Sequence, residues 1–64
     1  MTAEQTIARV EQNLLNTVIG KEQFLNALEN RIQAGTNAPT DLVTVAFLKV
    51  NLGELKAILA DLQS

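Results

Sequence analysis

Three pairs of carboxylates stand seven residues apart in this chain: Glu4 with Glu11, Glu22 with Glu29, and Glu54 with Asp61. Seven residues make two helical turns, so each pair shares a helix face, an arrangement with which bundles can hold a metal ion between facing helices. All six acids fall outside the apolar stripes traced below, where acids normally face water, so no metal ligand is assigned. Nucleophilic chemistry has less to work with. The chain contains no Cys and no His, so neither a triad nor a dyad can be assembled, and its hydroxyls have no obvious base. Its three glycines, Gly20, Gly35 and Gly53, lie too far apart to cradle a phosphate. The expectation is a protein with no catalytic residue, no cofactor and no metal, hence not an enzyme.

Charge excludes a second group of functions. Five basic and seven acidic residues give a net charge of −2, and Arg9, Lys21, Arg31, Lys49 and Lys56 stand singly among acids. A nucleic-acid footprint needs clustered cations and often stacking rings, whereas this chain has two Phe and no Tyr or Trp. Its eleven Asn and Gln residues make the surface polar without making it charged. The longest uncharged apolar stretch, between Asp41 and Lys49, is far shorter than the ~20 residues of a membrane span. The N-terminal residues "MTAEQTIARVEQ" lack the basic start and apolar core of a secretory signal. No targeting segment is read, and the absence of Cys agrees with a cytoplasmic location.

Two helices and one turn account for the apolar pattern. Thr2-Ala3-Glu4-Gln5 fits a capping box, in which the Thr hydroxyl accepts from a free backbone N–H and the Gln side chain answers. From there Ile7, Val10, Leu14, Val18, Leu25, Leu28 and Ile32 fall within about 80° of arc at 3.6 residues per turn. In "AGTNAP", Gly35 suits the left-handed residue past a helix end and Pro39 the first turn of the next helix. Asn37 or Thr36 is the expected cap of that second helix. The first helix is therefore placed at about residues 2–34 and the second at about 39–63, an all-α antiparallel hairpin in a single domain over 1–64.

Gly20 admits an alternative, a break that starts a new helix at Lys21 and makes a three-helix domain. Continuity is preferred because Val18 and Leu25 keep the same phase across it and no residues remain to build a turn.

The second helix is apolar on two sides. Val45, Leu48, Leu52, Leu55, Leu59 and Leu62 alternate spacings of three and four, a complete seam. Opposite them stand Leu42, Val43, Ala46, Phe47 and Val50, followed by Gly53, Ala57 and Ala60. A strand is the competing local reading of Leu42–Val50, but one strand without a partner is not stable. The first helix also outreaches the second, by roughly 12 Å at 1.5 Å per residue. Leu62 is therefore expected near Val10, leaving Ile7 without a partner in the hairpin.

A chain of 64 residues buries only ~60% of its unfolded surface and is marginal alone. Without Cys or His to staple it, oligomerisation is the remaining support. The expected contact surface, with itself or a partner, comprises Ile7, Leu15, Ile19, Phe24, Leu42, Val43, Ala46, Phe47, Val50 and Gly53. Self-association into a four-helix-type bundle, a dimer first of all, would cover it. Ala46, Gly53 and Ala60, spaced by seven, would let another helix approach closely. Lys49 and Lys56 lie along one edge of that strip and Glu54 and Asp61 along the other, so a parallel pairing would bring opposite charges together. Exposed pairs of this kind contribute only ~0–1 kcal/mol and can select an orientation without creating an interface.

Three functions fit. The preferred one is a small interaction protein that self-associates and offers an apolar surface to a protein partner, as adaptor, inhibitor or regulator. The others are a structural piece of a homo-oligomer and a protein that sequesters a small molecule between subunits. Neither nucleic acid nor membrane is an expected partner.

Overall fold

The computed structural model describes residues 2–64. Among these residues two helices make up the fold, α1 over Ala3–Ala34 and α2 over Pro39–Gln63. They lie antiparallel in contact, and the hairpin measures 50 × 15 × 15 Å. The long dimension is that of α1 itself, since 32 residues at about 1.5 Å each span ~48 Å.

Both ends of α1 close as their residue types require. The Gln5 N–H donates to Thr2 Oγ1 at 3.1 Å and the Thr2 N–H to Gln5 Oε1 at 3.0 Å, so each residue satisfies a backbone donor that the first turn leaves free. At the other end Gly35 takes φ 73°, a left-handed conformation that costs a residue without Cβ little. Its N–H donates to the Ile32 carbonyl at 3.1 Å, and the Thr36 N–H to that of Arg31 at 3.0 Å. This pair of bonds is the Schellman closure.

The start of α2 differs from expectation. Neither Asn37 nor Thr36 caps it: Thr36 Oγ1 donates back to the Arg31 carbonyl at 3.4 Å, and the Asn37 amide donates to the Ala38 carbonyl at 3.2 Å. The capping position belongs to Ala38, held extended at φ −76° and ψ 155°. Proline sterically excludes the helical conformation from the residue before it, so Pro39 places the boundary whatever side chain stands there. Asp41 ties the turn from the other side: its Oδ2 accepts the Ala38 N–H at 3.0 Å, and its own N–H donates to the Ala38 carbonyl at 3.0 Å.

Helix α1 runs unbroken through Gly20, which rules out the three-helix alternative. A glycine inside a helix costs about 1 kcal/mol relative to Ala, and buried residues on both sides of it, Val18 and Leu28, hold the helix against α2. The core is one line of contact: Val18 and Leu28 from α1 meet Leu48, Leu52 and Leu59 from α2, flanked by half-buried Leu14, Leu25, Ile32, Val45, Leu55 and Leu62. Every residue of the leucine seam of α2 is thus covered.

The N-terminal part of the α1 stripe is less covered than expected. Val10 is as exposed as Ile7, 48% each, so the expected contact of Leu62 with Val10 does not cover that side chain. A radius of gyration of 14.9 Å, against about 11 Å for a compact chain of this length, follows from having two layers and no third.

Candidate functional site

All ten residues expected to form a contact surface are exposed in the hairpin, but they do not form one patch. Ile7 lies on the N-terminal overhang of α1. At 100° per residue Leu15 and Ile19 occupy one shoulder of that helix and Phe24 the other, with the core seam between them. The remaining six, Leu42, Val43, Ala46, Phe47, Val50 and Gly53, share the side of α2 turned away from α1, because its leucine seam occupies the opposite side.

Four of these six converge. Val43, Ala46, Phe47 and Val50 line a shallow, open and almost wholly apolar concavity of about 320 Å³. Phe47 is 72% exposed and Val50 64%, although each would favour burial by ~1.5–3 kcal/mol. The cause is local and unavoidable: successive turns of one helix project their side chains in all directions, and a single partner helix can cover only one of them.

Ile58 belongs to this surface and was not expected there. It is half exposed and stands eleven residues, three turns, beyond Phe47, so it continues the line of that ring along the edge of α2. The eleven-residue spacing was the available signal, masked by the leucine seam that runs past it.

Beside the apolar concavity lies a more polar one of about 370 Å³, lined by Lys21 from α1 and by Thr44, Phe47, Leu48 and Asn51 from α2. The Asn51 side-chain oxygen is shut off from solvent there and accepts no hydrogen bond among the described residues. Such an orphaned acceptor costs about 1–3 kcal/mol.

Charges sit at the margins. Lys56 Nζ reaches Glu22 Oε1 at 3.1 Å, and Arg31 Nε lies 3.9 Å from Asp41 Oδ2. Both pairs cross between the helices. Lys49, Glu54 and Asp61, on the outer side of α2, have no ion-pair partner among the described residues. The spaced carboxylate pairs are not brought together: Glu22 faces Lys56, Glu54 and Asp61 lie on the outer side of α2, and no three acids gather among the described residues. No described helix is long and apolar enough to cross a membrane. What this arrangement offers chemically is shape and apolar area with charged borders. Comparison of the chain with protein-family models, with curated proteins and with solved structures gives no match.

Proposed function

We propose that this protein is a non-enzymatic interaction module, a helical hairpin that self-associates and presents apolar surface to a protein partner as an adaptor, inhibitor or regulator. The observation that carries this reading is the uncovered apolar side of α2, from Leu42 through Val50. An exposed apolar patch rimmed by polar residues is the usual mark of a protein contact. The accessible surface of 4659 Å² points the same way, since a compact chain of this mass exposes about 4,000 Å².

A structural role in a larger homo-oligomer is the second reading. It is favoured by the apolar residues on both shoulders of α1, Leu15 and Ile19 on one and Phe24 on the other, which could meet more than one neighbour.

Native mass spectrometry of the protein taken gently from its host tests the proposal. A mass of two copies, or of a copy plus a second protein, is the expected result, and a high copy number would favour the structural role. Added mass of a few hundred daltons would instead indicate a sequestered small molecule. A bare 7.0 kDa chain at working concentration would overturn the proposal.

A further inference from the structure

Resting on that reading, the side-chain order of α2 goes further and specifies how two copies meet. The outer side of the helix carries its own seam: Val43, Ala46, Val50, Gly53, Ala57 and Ala60, spaced three, four, three, four, three. That is the a/d repeat of a coiled coil, displaced by two residues from the leucine seam that α1 occupies, and every member is exposed. We propose that a second copy of this chain occupies this seam, with the two α2 helices parallel and in register.

The residues that border the seam select the orientation. Leu42, Lys49 and Lys56 precede its a positions, and Phe47, Glu54 and Asp61 follow its d positions. In a parallel pair, a side chain at the preceding border reaches the following border of the second copy five residues later. Five residues beyond Leu42 is Phe47; beyond Lys49, Glu54; beyond Lys56, Asp61. Each of the three contacts is complementary, one apolar and two of opposite charge, and the two-fold axis repeats all of them. An antiparallel pair joins like borders instead, setting Lys49 beside the second copy's Lys56 and Phe47 beside its Glu54.

Side-chain volume by itself accepts either orientation. Antiparallel packing would place Val43 on the second copy's Ala60 and Val50 on its Gly53. Parallel packing brings the helices closest at Gly53, Ala57 and Ala60 and fills the wider end with Val43, Val50 and the Leu42 and Phe47 pairs. Charge therefore decides between them. Lys49, Glu54 and Asp61 have no ion-pair partner within the hairpin among the described residues, and Lys56 would stand between its own Glu22 and the second copy's Asp61.

The resulting assembly is a row, α1–α2–α2–α1, with both loops at one end. Both shoulders of α1 stay open for another protein.

The chain lacks cysteine, so single thiols report the geometry directly. Ala57→Cys and Ala46→Cys are each oxidised alone and as an equimolar mixture, with sedimentation giving the mass and circular dichroism the helix content. The expected result is that each variant cross-links to itself. Cross-linking in the mixture alone would establish the antiparallel arrangement, overturning this inference while self-association stands. A dimer that cross-links in neither case uses another face and also overturns it. A monomer at every concentration removes the self-association reading itself. A second arm reads charge: Lys49→Glu with Lys56→Glu, and separately Glu54→Lys with Asp61→Lys, should each weaken dimerisation by about tenfold or more, and mixing the two variants should restore it. Full dimerisation of each variant by itself would contradict the parallel register.

Discussion

Lys56 Nζ lies 3.1 Å from Glu22 Oε1, joining α2 to α1 well away from the loop. With the Arg31–Asp41 pair beside the turn, it follows the antiparallel register from the loop toward the middle of the hairpin. Neither member is shielded from water, so the pair aligns the helices more than it stabilises them.

Glu22→Gln should therefore lower stability by less than about 1 kcal/mol, as exposed ion pairs do. The difference should vanish at high salt, where the screening length drops to about 3 Å. Urea melts of both proteins at low and high ionic strength check this; a loss that persists in salt would mean that the pair is more shielded than its exposure indicates.

The glycines of α1 and its cap should respond in opposite directions. Gly20 is helical with nothing within 4 Å of an added Cβ, so Gly20→Ala should stabilise by about 0.5–1 kcal/mol. Gly35 has equal space but φ 73°, so Gly35→Ala should destabilise by roughly 1 kcal/mol through backbone strain. Thermal melts would show the two midpoints moving apart by about 4–8 °C per kcal/mol.

Leu28 and Phe47 test the division between core and outer surface. Leu28 is 1% exposed, and Leu28→Ala should cost about 2–5 kcal/mol, enough to unfold much of a hairpin this small. Phe47→Asp, at the most exposed large apolar side chain among the described residues, should leave the helical circular dichroism intact while reducing oligomer mass or partner capture. Loss of helix in Phe47→Asp would place that ring in the core.

Asn51→Leu should raise the melting temperature. It removes an acceptor that is buried without a hydrogen bond and adds apolar area beside Phe47 and Leu48, a change of about 1–3 kcal/mol in the stabilising direction. An unchanged or lower midpoint would show that the amide oxygen is satisfied in solution.

Much of this architecture is local and periodic, and for that reason the amino-acid sequence alone determines it. The capping box at Thr2 and Gln5, the left-handed Gly35 and the uninterrupted phase of the α1 stripe depend on neighbours within a few residues. So do the two helices and their short loop. Proline at position 39 also implies an extended residue before it, which is why Ala38, and not the more polar Asn37 or Thr36, begins α2.

Only the packed hairpin decides how far each seam is covered. Both sides of α2 are apolar, and α1 takes the leucine side because its larger side chains remove more apolar area from water along the whole helix. Val10 belongs to the α1 stripe by phase, yet it stays half exposed in the hairpin. The Lys56–Glu22 pair and the isolated Asn51 oxygen likewise depend on distances between helices, which helical periodicity along one chain does not encode. The same limit applies to the ten residues of the expected surface: periodicity places each on its helix, and the antiparallel contact of α1 with α2 separates them into one coherent side of α2, two shoulders and an overhang.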